Sequence, residues 1–319
     1  MRGSVLDIRF GAITRLLGAQ IAIGAAAIFA RFALSSTGPL AISALRLGIA
    51  TVVLTIIVGK VARLSKRREI AFAIAGFALA LHFAMWITSL RFTSVAISTL
   101  LVTTTPIWTE SYDAIVRRTL PTRAFLGALA CAAIGVALIA FPRVATPAPI
   151  AGHAALGALL AVLGSVAIGA YLLIVRDAGR RSATERIATR AIVVRTFGWA
   201  TLALTIAAVF AGEGPPSLHD ASAWGGILAM ALVSQLLGHT LLNAALGTFA
   251  PSVVALTTLL EPVIAALLAA AVFHEALTAV TLAGGILVLV AVALTLVEAA
   301  RRERDPANAA RYPPVENPG

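Results

Sequence analysis

The chain has 319 residues, of which 60% are hydrophobic and 12% are charged, and it carries a formal net charge of +11; its mean hydropathy is +0.95. A water-soluble domain is about 45–50% apolar and about 25% charged, so this composition excludes a soluble fold. Apolar segments of about 20 residues, the length of one bilayer crossing, occur ten times along the chain. They are continuously apolar, unlike the alternating strands of a membrane β-barrel, and therefore predict helices. The predicted membrane spans are 12–34, 39–60, 70–90, 93–116, 122–142, 153–175, 190–212, 221–246, 250–273 and 276–299.

The positive charges are concentrated in the termini and in alternate loops. Most of the 25 Lys and Arg residues lie in the segments 1–15, 60–68, 117–123, 176–195 and 301–311. Because Lys and Arg favour cytoplasmic loops, this distribution predicts an even number of helices with both termini in the cytoplasm. It also accounts for the net charge without nucleic acid as a partner.

The two halves of the chain resemble each other. Residues 81–120 align with residues 237–276 without a gap, and the alignment superposes Pro106 on Pro262. Each half holds five predicted helices. Because five is odd, the second half would enter the membrane from the opposite side, as in the inverted repeats of several transporters. The predicted units are a first repeat, a second repeat and a disordered cytoplasmic tail, at residues 12–142, 153–299 and 300–319.

Glu261 is the acidic residue nearest the middle of a predicted span. It lies roughly 15 Å along the ninth helix, where a charge costs about 2.5–3.5 kcal/mol, so its side chain should face the bundle interior or a wet cavity. Pro262 follows it and frees a backbone carbonyl one turn earlier. Such a carboxylate could bind a proton, a cation or a substrate amine, and the alternative is a structural pair with an arginine.

Further ionisable residues occur in the second and fourth predicted helices. Pro106 marks a kink in the fourth helix, and beyond it Glu110 is a candidate site residue, whereas Asp113 is expected to pair with Arg117 near the membrane surface. Arg46 in the second helix can clamp a carboxylate or phosphate through two hydrogen bonds. It could equally pair with Glu110 or with the glutamate of the ninth helix and serve packing alone.

Two polar stripes lie in repeat-related helices. Gln235, His239 and Asn243 recur every four residues in the eighth helix, which predicts one polar face, and His82 and Trp86 share a face of the third. Polar side chains also bond neighbouring helices in ordinary membrane packing. Two stripes in corresponding helices favour a shared cavity. We predict neither a metal site nor a cofactor, because Cys131 is the only cysteine and the histidines form no ligand set.

The C-terminal stretch LTTLLEPVIAALLAAAVFHEALTAVTLAGGILVLVAVAL resembles the end of an EamA domain of the drug/metabolite transporter superfamily. In it, Pro262 and Glu275 take the positions of the family's proline and acid. PLAISALRLGIA resembles the second helix of the same domain, with Arg46 as its arginine, and SVAISTLLVTTTPIW resembles the fourth. The first half departs from the pattern at Thr119, which matches Glu275. The resemblance implies ten helices, both ends inside, and export of amino acids or other small metabolites.

We therefore predict a secondary transporter of the bacterial inner membrane that works by alternating access around a cavity between the third, fourth, eighth and ninth helices. No Walker-type loop is present, which favours coupling to protons or by exchange. An exporter of cationic drugs is the nearest alternative. An intramembrane enzyme on lipid-linked substrates, a channel and an accessory subunit are less favoured, so we do not predict an enzyme. The predicted partners are a small-molecule substrate and the lipid bilayer, with a homodimer as an option.

Overall fold

The computed structural model describes residues 5–61, 63–93, 95–118, 120–144, 153–179, 188–273 and 277–304. All regular secondary structure in these ranges is helical. We number the consecutive helical stretches α1 to α10. Six are continuous: α2 (Pro39–Val58), α3 (Lys66–Phe92), α5 (Arg123–Val144), α6 (Ala154–Gly179), α7 (Thr189–Phe210) and α10 (Ala279–Arg304). The other four are interrupted: α1 (Val5–Gly24 and Ala26–Ala33), α4 (Val95–Val102 and Thr105–Val116), α8 (Ala221–Ala229, Met230–His239 and Thr240–Ala245) and α9 (Pro251–Thr257, Thr258–Leu260 and Glu261–Phe273).

The prediction of an all-helical, multi-pass membrane protein is confirmed. Within the described ranges, eight stretches are long and apolar enough to cross a bilayer, namely all except α4 and α5. The apolar helix found in α5, Arg123–Ile139, is shorter, and α4 consists of two short helices. Ten crossings, an inverted second half, two cytoplasmic termini and a homodimer therefore stay predictions.

The C-terminal boundary differs from the predicted one. Helix α10 continues to Arg304, so the first residues of the predicted tail 300–319 are helical. Residues 305–319 lie outside the described part of the chain, and their disorder stays a prediction.

Helix α3 packs along α6 and α7, while α2 packs along α7 and α1 along α8. Glycines let these backbones approach closely, as is common between membrane helices. A Cβ added at Gly76 of α3 would lie 2.5 Å from the Trp199 Cβ and 2.7 Å from the Thr196 carbonyl oxygen of α7. The burial of α3 on several sides positions its polar face toward the bundle interior.

Helices α5 and α10 form a second close pair, and glycine makes their contact as well. A Cβ at Gly284 would lie 2.5 Å from the Gly135 carbonyl oxygen, and a Cβ at Gly135 would lie 2.6 Å from the Gly284 carbonyl oxygen. The next residue, Gly285, faces elsewhere, since its added Cβ would meet only the Val263 side chain at 3.6 Å.

Polar contacts fasten the end of the bundle where α2 and α8 begin. The Glu213 carboxylate accepts hydrogen bonds from the backbone N–H groups of Leu40 (2.7 Å) and Ala41 (2.9 Å), which complements the positive N-terminus of α2. Asp220 accepts from the Ser36 hydroxyl at 2.5 Å and caps α8. The Ser36 hydroxyl and the first N–H groups of α8 lower the pKa of Asp220, so this carboxylate is charged at neutral pH.

Substitution of Gly284 by alanine tests the α5–α10 contact. We expect Gly284→Ala to destabilise the protein by about 1–3 kcal/mol, because the methyl group overpacks against the Gly135 backbone. The matched control Gly285→Ala should be neutral or slightly stabilising, since alanine is the better helix former. Thermal unfolding of the purified proteins in detergent measures the difference. Equal midpoints for the two variants would contradict the close contact.

Candidate functional site

A small cavity, mostly apolar but with several polar side chains in its wall, lies where the interrupted helices α4, α8 and α9 meet α3. These are the four helices predicted to surround the site, and α1, α2 and α6 complete the wall. The cavity volume of about 40 Å³ is room for about three water molecules. Its lining residues are Ile23, Ala26, Arg46, His82, Phe83, Trp86, Val102, Thr103, Thr105, Ile168, Leu172, His239, Leu242, Thr258 and Glu261.

The interruptions of α4, α8 and α9 lie beside this cavity. The segment Met230–His239 of α8 is a π-helix, a form that is rare and concentrated at functional sites. Helix α4 breaks at residues 103–104, just before Pro106, and α9 narrows to a 3₁₀ turn, Thr258–Leu260, before Pro262. Irregular backbone at membrane depth is tolerated only where protein buries it or a cavity receives its polar groups. Both prolines therefore stand next to a break in the helix.

Arg46 is fully buried between α2, α3 and α8. Its Nη2 donates a hydrogen bond to the Gln235 Oε1 at 2.9 Å, and its guanidinium carbon lies 4.2 Å from the centre of the Phe83 ring, a cation–π contact. Among the described residues no carboxylate oxygen lies within 4.0 Å of this guanidinium. No direct ion pair of Arg46 with Glu110 or Glu261 is present at that distance. The Gln235 Oε1 accepts from Nη2 instead, and a packing role for Arg46 stays a prediction.

Glu261 nevertheless lines the same cavity as Arg46. It begins the last helical segment of α9, directly after the 3₁₀ turn, and the two groups lie close enough for their opposite charges to attract. A guanidinium and a carboxyl group therefore share one cavity without a direct contact. Such a cavity can receive a solute that carries both charges, or one charge together with a proton on the carboxylate.

Aromatic rings connect the two predicted polar stripes. The His82 and Trp86 rings are stacked with centroids 6.2 Å apart, and the Phe83 ring meets the His239 ring edge-on at 5.3 Å. The His82 Nδ1 lies 2.9 Å from the Gly164 carbonyl oxygen. Because a carbonyl only accepts, this nitrogen donates and the other ring nitrogen keeps its lone pair. The α3 stripe therefore faces the cavity as a rigid aromatic layer.

The stripe predicted for α8 divides between different partners. Gln235 binds Arg46 of α2, whereas Asn243 accepts a hydrogen bond from the Tyr171 hydroxyl of α6 at 2.8 Å. Of the three stripe residues only His239 lines the cavity. The physical reason is the π-helix, whose hydrogen bonds span five residues instead of four, so residues four apart no longer stack on one face.

The remaining predicted acids lie elsewhere. Glu110 is half-buried on α4 and does not line the cavity, and Thr119 and Glu275 fall outside the described residues. The predicted pair of Asp113 with Arg117 is confirmed at 3.0 Å.

That pair belongs to a larger ion-pair network between α4 and α6. Arg176, whose side chain is 3% exposed, contacts Asp113 at 3.2 Å and Asp177 at 3.1 Å, and Arg117 also reaches Asp177, at 2.5 Å. The network closes the end of the bundle opposite to the Glu213 and Asp220 contacts, because α7 runs from one end to the other.

Several residues of the cavity were not predicted. Phe83 supports both Arg46 and His239, and its position next to His82 was the available signal. Ile168 and Leu172 of α6 supply an apolar wall. They look like any lipid-facing residues in the sequence, so no local pattern separates them from their neighbours.

These features define the chain as a multi-pass membrane protein with a central polar site between two halves. Residues 10–141 and 155–297 each match the model of the EamA-like transporter family. The two matches cover most of the chain, so the protein belongs to the EamA-like transporter family and contains two repeats of its domain.

Curated proteins and solved structures provide two further comparisons. No curated protein matches the chain. A solved structure titled only "Crystal structure of protein" superposes with a TM-score of 0.72 at 15% sequence identity, covering 92% of this chain and 99% of that one. At this identity the match shows a shared fold.

The α4–α6 network gives a stability prediction. We expect Arg176→Gln to lower the free energy of unfolding by about 3 kcal/mol, because it leaves carboxylates short of a buried partner. The control Arg117→Gln removes a side chain that is 32% exposed and should cost at most about 1 kcal/mol. Thermal unfolding in detergent ranks the variants. A larger loss for Arg117→Gln would contradict the assigned roles.

Proposed function

We propose that this protein is a secondary transporter that exports amino acids or related small metabolites across the bacterial inner membrane by alternating access of the central cavity. The observation that carries the proposal is the presence of an arginine, Arg46, and an ionisable carboxyl group, Glu261, in one cavity of the bundle. Intramembrane ionisable residues are costly and mark substrate or ion pathways by default. Membership of a transporter family supports transport over enzymatic chemistry.

In this proposal the two charged groups divide the work of binding. Arg46 attracts the carboxylate of the solute, with its guanidinium held in place by Gln235 and Phe83. Glu261 binds the solute's ammonium group, or it exchanges a proton as the solute enters and leaves. Coupling is then to protons or to counter-exchange of solutes.

The small volume of the cavity implies that helices must move during transport. Space for about three waters admits a metabolite only after the wall opens. We assign this movement to α4, α8 and α9, because their interruptions at the cavity are natural hinge points. The Arg176 network would fasten one end and the Glu213 and Asp220 contacts the other, and opening each end in turn gives alternating access.

An exporter of cationic drugs is the second candidate. Glu261 favours it, since a carboxylate in an apolar cavity can bind a cation without help from an arginine. This alternative predicts that Arg46→Gln transports normally, whereas the metabolite transporter requires Arg46.

Glu261→Gln tests the proposed function. We expect the variant to lose export by tenfold or more, on the order of the 1.4 kcal/mol or more that one lost charged contact is worth. Metabolite profiling of the medium from expressing bacteria, at matched membrane abundance, provides the measurement.

The matched control is Glu110→Gln, which removes another in-span carboxylate that does not line the cavity. This control should export at the wild-type rate. Normal export by Glu261→Gln would remove Glu261 from the mechanism, and equal losses in both variants would show that the cavity has no special role.

A further inference from the structure

Several buried nitrogens at the central cavity and beside it have no hydrogen-bond partner. Among the described residues these are the donors Arg46 Nε, Trp86 Nε1 and Gln235 Nε2, and also the His239 Nδ1, a ring nitrogen that can donate or accept. Arg46 and Gln235 are fully buried and Trp86 is 7% exposed. Buried polar atoms normally have a hydrogen-bond partner, so a group of buried atoms without one indicates a site for a ligand that supplies it.

A chain of side-chain contacts connects the three donor residues. Gln235 is hydrogen-bonded to Arg46, and the Arg46 guanidinium rests on the Phe83 ring. Trp86 stacks on His82, whose ring lies 4.8 Å from that of Phe83. The three residues therefore belong to one patch on α2, α3 and α8, and two of them, Arg46 and Trp86, line the cavity.

The chemistry of these atoms restricts what can bind them. The arginine Nε and the indole nitrogen donate and cannot accept. The Gln235 amide nitrogen also only donates, while its oxygen is occupied by Arg46. An ammonium or other cation, which brings donors, leaves all three unsatisfied. A carboxylate brings two oxygens with about four acceptor positions and forms the strong, charge-assisted bonds that arginine favours.

We propose that this patch is a carboxylate-binding subsite, and that the solute is an organic acid whose apolar part lies against Phe83, Ile168 and Leu172. The inference rests on the proposed transport function and narrows its substrate class, since it makes the carboxylate the required group. Trp86 is the specificity-determining residue, because it lines the cavity and its indole N–H can be satisfied only by an acceptor such as a carboxylate oxygen. The conservative substitution Trp86→Phe removes this donor.

Matched acid and amide pairs test the subsite. The probes are alanine with alaninamide, leucine with leucinamide, and phenylalanine with phenylalaninamide, each added to the purified full chain in detergent. A ligand that binds only the folded state raises the unfolding midpoint. We expect at least one acid to raise the midpoint and its amide to leave it unchanged at the same concentration. Two results would overturn the proposal. One is that the amides raise the midpoint as much as the acids do, and the other is that none of the acids raises it.

Two tryptophan variants give the residue-level control. Trp86→Phe keeps the ring and removes the N–H, and we expect it to weaken binding of the stabilising acid by about tenfold or more. Trp224 also has a buried indole nitrogen without a partner but does not line the cavity, so Trp224→Phe should bind as the wild type does. Equal weakening in both variants would contradict the subsite.

Failure of the subsite and failure of the transport function give different results. Acid binding without any export would leave the subsite in place and refute the transporter. Export of cations without acid binding would refute the subsite and leave transport standing. Loss of acid binding in Trp86→Phe together with loss of acid export supports both.

Discussion

The candidate site depends on the burial of one arginine. Arg46 carries a permanent positive charge into the interior of an apolar bundle, where its side chain is fully buried. Its neighbours are therefore polar or polarisable: the Gln235 amide, the Phe83 ring and, across the cavity, the Glu261 carboxylate. These neighbours come from α3, α8 and α9, so groups from four helices meet around a single guanidinium.

The irregular backbone of the bundle serves the same site. The π-helix of α8 carries Gln235 and His239, and the 3₁₀ turn of α9 ends at Glu261. Away from the cavity the packing is tight, as at Gly135 and Gly284, where two backbones touch. The molecule thus combines rigid helix pairs with interrupted segments around a small cavity, an arrangement suited to moving one part against another.

Composition and charge predicted the helical membrane fold, because hydrocarbon imposes span length and polarity more strictly than water does. The same cost of burying charge identified Arg46 and Glu261. Contacts between helices were less predictable. The π-helix has no local signal, so the stripe of Gln235, His239 and Asn243 looked continuous in the sequence and is divided in the structure. Nothing in the sequence indicated that the partner of the Arg46 guanidinium would be the Gln235 amide of α8.

The central claim is that Arg46 serves the solute and is not required for packing. The most direct test is the double variant Arg46→Met with Gln235→Leu, which replaces the buried polar pair by apolar side chains of similar size. Such replacements are often neutral or stabilising, so we predict a protein that folds and unfolds thermally at or above the wild-type midpoint. In proteoliposomes loaded with the solute that the wild type exports, the variant should show no transport above background. A folded variant that transports at the wild-type rate would contradict the account and make Arg46 a structural residue.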